Sequence, residues 1–153
     1  MPVKHVPDGY HTATPYLVIK GAAAALEFYK KAFGAKELLC MPAPDGTVAH
    51  AEIQIGDSPI MMGEEQPGMG FIAAKPGMPS SVGLMLYVDN VDEMFKRALA
   101  AGGRELRPLK NQFYGDRSGT LADPFGHVWT IATHIEDVTP EEIDRRFKAE
   151  MGG

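Results

Sequence analysis

The strongest constraint on this chain is that it repeats itself. Ala32-Phe33-Gly34-Ala35-Lys36-Glu37-Leu38 returns 68 residues later as Ala100-Ala101-Gly102-Gly103-Arg104-Glu105-Leu106. At the same offset, Tyr16-Leu17-Val18-Ile19 returns as Leu84-Met85-Leu86-Tyr87. Each copy reads as strand, helix, glycine stop, strand. Solenoids use shorter units and need at least three neighbours to bury a core. Two long copies predict instead two equivalent modules that pair to enclose something.

The pattern within each copy supports this. A strand is expected over about residues 13–19. After Gly21, the apolar positions Ala25, Leu26, Tyr29 and Phe33 fall on one helical face, and Gly34 ends that helix as a left-handed cap would. Strands are expected over 36–41, over 47–55 and over Pro59–Met62. The second of these alternates, with Val48, His50, Glu52 and Gln54 on one face and Ala49, Ala51, Ile53 and Ile55 on the other. Residues 63–81 are rich in Gly and Pro and lack periodicity, so they read as a linker, long enough to act as a flap over a cavity. The second copy repeats the order with strands near 82–88, 104–109, 117–122 and 127–134. Asp89-Asn90 opens its helix. Thr139-Pro140-Glu141-Glu142 starts a final helix, with Thr139 as cap and Glu142 at the capping-box position. The expected organisation is one domain over 1–153, with modules at 12–64 and 82–135 and a C-terminal helix at 138–150. Strand-helix-strand-strand-strand twice over is an α+β class.

Composition narrows the function classes. A chain of 153 residues that is 44% hydrophobic can build a real core. No apolar run approaches the roughly 18 residues of a membrane span, and Met1-Pro2-Val3-Lys4-His5 lacks the apolar stretch of a signal peptide. A soluble, cytoplasmic protein with no membrane partner is expected. The single cysteine, Cys40, lies in a predicted strand and reads as a buried structural thiol. The formal charge of −5, with Lys and Arg scattered, argues against nucleic-acid binding.

Three segments carry a resemblance to a known family. They are Leu26-Glu27-Phe28-Tyr29-Lys30-Lys31-Ala32-Phe33-Gly34, Tyr87-Val88-Asp89-Asn90-Val91-Asp92 and Leu121-Ala122-Asp123-Pro124-Phe125-Gly126-His127-Val128-Trp129. In their order and spacing the chain resembles the vicinal oxygen chelate superfamily of glyoxalase I, bleomycin-resistance proteins and extradiol dioxygenases. Tyr114-Gly115-Asp116-Arg117, the run Trp129 to His134 and the acidic last helix resemble its PhnB-like branch. The resemblance implies paired βαβββ modules forming an open, mostly antiparallel barrel, commonly as a homodimer.

It also implies a divalent metal held by His and Glu on the first and last strands of each module. The corresponding positions here are Thr14, Met61, Gly83 and Thr130. A site for Zn, Ni, Mn or Fe needs three or four N, O or S ligands within about 2.0–2.3 Å. None of the four offers an imidazole or a carboxylate, so the usual metal site is expected to be missing, and no cofactor is implied.

His50 and Glu52, two apart on one strand, face the same way. They read as the edge of a rearranged metal site, as polar groups lining a cavity, or as a solvated face. Asp116 and Arg117 read either as a clamp for an anionic or carboxamide group or as a pair that fixes its own loop. His134 shares the parity of Thr130, while Trp129 has the opposite parity and is expected to pack under a helix. Met61, Met62 and Met85 suit a cavity for an irregular apolar ligand or fill the core.

Three functions stay open. One is a binding protein that holds a small organic molecule in a metal-free barrel cavity lined by His50, Glu52, Met61, Asp116, Arg117 and Thr130. Another is a metal-dependent lyase or dioxygenase built on His50 and Glu52. The last is a metal-free isomerase or epimerase with Glu52 as base, which requires its pKa to be raised.

Overall fold

Apolar positions that alternate along strands and recur every third or fourth residue along helices leave each element with one face to bury. The computed structural model, which describes residues 2–152, buries those faces in two matched modules. In chain order the first module has β1 (Tyr16–Val18), α1 (Ala22–Phe33), β2 (Lys36–Pro42), β3 (Val48–Ile55) and β4 (Ser58–Gly63). The second has β5 (Gly83–Tyr87), α2 (Val91–Ala101), β6 (Arg104–Asn111), β7 (Asp116–Ala122) and β8 (Val128–His134). The last helix, α3, spans Pro140–Glu150.

Each module folds into a four-stranded sheet, in the order β1-β4-β3-β2 and β5-β8-β7-β6. The outer pairs β1–β4 and β5–β8 are parallel and the remaining pairs antiparallel. This is the expected α+β architecture of two βαβββ modules with a C-terminal helix. Both sheets are mixed, each with one parallel and two antiparallel strand pairs.

Each helix covers one face of its sheet, and the two helices also lie against each other. Phe28, Tyr29 and Phe33 of α1 meet Phe125 and Trp129 of the second module in one aromatic cluster. Trp129 is fully buried there. Arg97 of α2 donates to the carbonyls of Lys30 and Lys31 in the last turn of α1, the first of which also accepts from the Gly34 N–H.

The strand bounds differ from expectation at β1, which begins at Tyr16 and not near residue 13. Pro15 has no N–H to give, although its carbonyl still accepts from Met61 at 3.0 Å. The repeat also slips. Tyr16 and Met85 each stand beside the equivalent last-strand residue, Met61 and Thr130, so the modules align there at an offset one longer than 68. The helices explain the slip at β1, since α1 has 12 residues and α2 has 11; at the last strand it arises in the connection between β7 and β8, because Glu52 and Thr120 still match at 68. Leu17 and Met85, matched at the shorter offset, therefore face opposite ways, one buried and one exposed.

Helix ends follow the sequence closely. Gly34 takes the left-handed conformation at φ 66°, and Asn90 caps α2 by accepting from the Glu93 N–H at 3.1 Å. Thr139 caps α3, but Glu142 does not complete a capping box, because its carboxylate is taken by Arg145 and Arg146. The linker is more ordered than its composition suggests, with a bridge between Gln66 and Phe71 around a single 3-10 turn. Cys40 is half-buried at the margin of the core and not enclosed in it. Among the described residues no helix is long and apolar enough to cross a membrane.

Candidate functional site

The sheet faces turned away from the helices carry the polar chemistry. On the first sheet, register places Tyr16 beside Met61, and Met61 beside Glu52. His50 lies two residues along β3 on the same face. These side chains form a chain of hydrogen bonds. Tyr16 Oη lies 3.0 Å from His50 Nδ1, and His50 Nε2 lies 2.9 Å from Glu52 Oε2. Tyr10, from the segment before β1, donates its hydroxyl to Glu52 Oε1.

The directions of these bonds follow from the charge on Glu52. Hydrogen bonds from Tyr10 and then His50 hold its carboxyl below the usual range, so it is an acceptor at neutral pH. His50 therefore keeps a proton on Nε2 and gives it to Glu52, leaving Nδ1 to accept from the Tyr16 hydroxyl when the ring is neutral. The same carboxylate pushes the Tyr10 phenol up to about 12. A base that must work near neutral pH needs a raised carboxyl pKa, and the hydrogen bonds to Glu52 shift it the other way.

A missing side chain makes room for this arrangement. A Cβ on Gly63 would fall 2.8 Å from Tyr16 Oη and 2.6 Å from the Ala49 carbonyl oxygen. Phe71 packs on the other side of Tyr16, ring centres 6.1 Å apart. Tyr16 also lines a cavity of 340 Å³ walled by the linker residues Ile72, Lys75, Met78 and Val82.

On the second sheet the equivalent face carries hydroxyls. Thr120, at the position matching Glu52, lies 2.9 Å from Thr130. Together with Met85, Lys110 and Tyr114 they line a 510 Å³ cavity edged by Glu150 of α3. At its margin the buried Asp116 accepts from Tyr87 at 2.7 Å and pairs with His134 Nδ1 at 2.8 Å. His134 Nε2 contacts Asp137 at 2.8 Å.

The structure separates Asp116 from Arg117. Successive strand residues face opposite ways, and Arg117 turns to α2, where it makes a two-pronged bond to Asp92 at 2.9 and 2.8 Å. The two do not act as one clamp. His50 and Glu52, by contrast, are joined directly, and Met61 lies beside Glu52.

The four positions where the resemblance implies metal ligands hold thioether, hydroxyl or no side chain. Thr14 precedes β1, Met61 is on β4, Gly83 opens β5 and Thr130 is on β8. Both ring nitrogens of His50 and both oxygens of Glu52 are already engaged. Among the described residues no three His, Cys, Asp or Glu side chains gather closely enough to hold a metal ion. These residues do not fit the family's metal.

Sequence reasoning missed the contacts of Tyr10, which lies in an irregular segment, and of Tyr16, which it read only as part of the repeated apolar run. It also missed Glu64, whose carboxylate accepts from the Gly21 and Ala22 N–H groups at 3.1 and 2.8 Å at the start of α1.

The model of the Glyoxalase/Bleomycin resistance protein/Dioxygenase superfamily matches residues 10–131. An uncharacterised protein of Mycobacterium tuberculosis (strain ATCC 25618 / H37Rv) is 38% identical over 145 residues, covering 92% of this chain and 84% of that protein. The crystal structure of TioX from Micromonospora sp. ML1 superposes with a TM-score of 0.64 at 26% identity, covering 84% of this chain and 100% of that one. The PhnB protein from Bacillus cereus shares the fold, with a TM-score of 0.64 at 21% identity over 80% of this chain and 99% of that one.

Proposed function

Because the chain belongs to the glyoxalase/bleomycin resistance protein/dioxygenase superfamily, we propose that it binds a small organic molecule without the family's metal. The binding surface is the first-sheet face that carries Tyr16, His50, Glu52 and Met61. The observation that carries this reading is the chemistry of the four ligand positions: Thr14, Met61, Gly83 and Thr130 supply no imidazole and no carboxylate. What stands there instead is apolar and hydroxyl surface, suited to contact with a carbon skeleton and a few polar groups.

A second copy of the chain completes the site in this proposal. Tyr16, Met41, Met85 and Tyr87 are each between 44% and 63% exposed on sheet faces that a single chain leaves uncovered. Exposed apolar surface of this kind marks an interaction site. The closing motif from Tyr114 to His134 and the acidic α3 support placing the chain in the PhnB-like branch, within a cytoplasmic homodimer.

Two measurements test the reading. Protein exposed to Zn, Ni, Mn and Fe and then dialysed is expected to retain no stoichiometric metal. Retention that disappears in His50→Ala or Glu52→Ala would favour a lyase or dioxygenase instead. A thermal-shift screen of metabolites and drug-like molecules is expected to find stabilising ligands, and sedimentation to find a dimer.

A further inference from the structure

We propose that the linker between the modules walls a second ligand site, distinct from the sheet faces, that takes an aliphatic carboxylate of medium chain length. The stretch between Gly63 and Gly83 carries only one turn of 3-10 helix, and a connection this long inside a compact chain points to a role beyond joining its ends. It encloses the 340 Å³ cavity against β1 and the turn between β7 and β8. That volume lies in the range of small-molecule sites. Of the first-sheet group only Tyr16 reaches this wall; His50, Glu52 and Met61 do not.

The linker is held in place at several points. Gly126, left-handed at φ 97°, lets the chain cross so closely that a Cβ there would lie 2.7–2.9 Å from backbone atoms of Lys75. The next turn closes as the Met78 N–H donates to the Lys75 carbonyl at 3.2 Å. Before it, the Ala73 N–H donates to Glu65 at 3.1 Å, and beyond it Ser80 Oγ donates to the Val82 carbonyl at 2.8 Å. Across the cavity, His127 Nε2 donates to the Val18 carbonyl at 3.1 Å. The cavity wall is thus tied down along its length.

Two properties of that wall select the ligand. Leu17, Ile72, Met78 and Val82 make much of it apolar, and the last three are between 61% and 66% exposed. Exposed apolar side chains gathered at one cavity suit a hydrocarbon body. The polar part holds Lys75 and His127, with no Asp or Glu among the described residues. In a chain of formal charge −5 this is a local reversal of sign. Lys75 offers a carboxylate a flexible point charge. One lysine balances one negative charge, whereas a doubly charged phosphate would lack a second cation.

The test titrates the full 15N-labelled chain with sodium hexanoate, octanoate and decanoate, each below its micelle concentration. Affinity should rise about 3- to 4-fold per added CH2, the value of burying a methylene. Amide shifts should centre on residues 72–82 and 126–127. Octanol and octylammonium are the charge controls. Octanoate should bind roughly 2- to 5-fold tighter than octanol, as an exposed ion pair contributes, and octylammonium weakest of the three. Lys75→Gln should remove the preference for octanoate and leave octanol binding as it was, whereas Met78→Asp should weaken both. Both side chains are exposed, and circular dichroism checks that each variant folds.

Shifts centred on His50, Glu52 or Thr130 would move the ligand to the sheet faces and overturn the linker site. Equal affinity for the three eight-carbon probes, or an octanoate preference that survives Lys75→Gln, overturns the carboxylate class. Octanoate affinity unchanged in Met78→Asp overturns the apolar wall. Absence of saturable shifts with decanoate overturns the site altogether and leaves the sheet-face reading standing.

Discussion

Tyr29 and Asp123 are 94 residues apart in sequence, and their side chains meet in a buried hydrogen bond of 2.5 Å. The bond joins α1 of the first module to the turn between β7 and β8 of the second. Asp123 also accepts from Trp129 Nε1 at 2.9 Å and from the backbone N–H groups of Phe125 and His127 at 2.9 and 3.0 Å. These donors occupy the lone pairs of a carboxylate that would be costly to bury without them. Burial, and then the Asp123 charge, push the Tyr29 phenol well above its ordinary range.

Tyr29→Phe therefore removes one donor from a buried carboxylate. The expected cost is about 1–3 kcal/mol, read as a lower urea midpoint with an unchanged slope. Asp123→Ala should cost more, because it strands the Tyr29 hydroxyl and the Trp129 N–H in the core.

The starts of the two helices make a matched pair. Glu64 accepts from the first N–H groups of α1, and Thr133 Oγ1 accepts from the Val91 N–H of α2 at 2.9 Å. Glu64→Ala and Thr133→Val should each cost about 0.5–2 kcal/mol, as losing a cap does. Glu64→Gln should cost less, since it keeps an acceptor and loses only the charge that complements the helix dipole. Thermal melts of the three variants check this order.

Gly63 and Gly83 open a direct test of close packing. A Cβ at Gly63 meets the Ala49 carbonyl oxygen at 2.6 Å, while one at Gly83 meets nothing within 4 Å. Gly63→Ala should destabilise by about 1–3 kcal/mol and displace the Tyr16 hydroxyl from His50. Gly83→Ala should stay within about 0.5 kcal/mol. Urea titration of both separates the outcomes.

His134 sits between Asp116 and Asp137, and those two bonds, Asp116 first, raise its pKa above the ordinary imidazole value. The imidazolium is favoured in the folded state. Its contribution to stability is full below about pH 6.5, the ordinary imidazole value, and is lost as pH rises through the elevated one. NMR titration of the His134 ring should show the raised midpoint, and Asp116→Asn should bring it down.

Much of this molecule was legible residue by residue. The helical spacing of Ala25, Leu26, Tyr29 and Phe33, and the stops at Gly34 and Gly102, located both helices. Alternation along β3 put His50 and Glu52 on one face. Strand parity alone also held the separation of Asp116 from Arg117, although adjacency in sequence suggested a shared clamp. The repeat marked the modules, but the one-residue difference between α1 and α2 lay hidden in it, since an offset read at the glycine stops does not report a slip upstream.

The sequence by itself determined the two modules, their element order and the residue types at the four positions where metal ligands would stand. Those properties depend on local periodicity, capping and chain order, which are written in neighbouring residues. Only the tertiary structure decided that Tyr16 and Tyr10 join His50 and Glu52, and that Asp123 holds Tyr29. Periodicity tells which face of a strand a residue occupies but not which strand lies next to it. That neighbour is chosen when the whole sheet pairs and the helices bury their shared aromatic face, and no segment carries that choice alone.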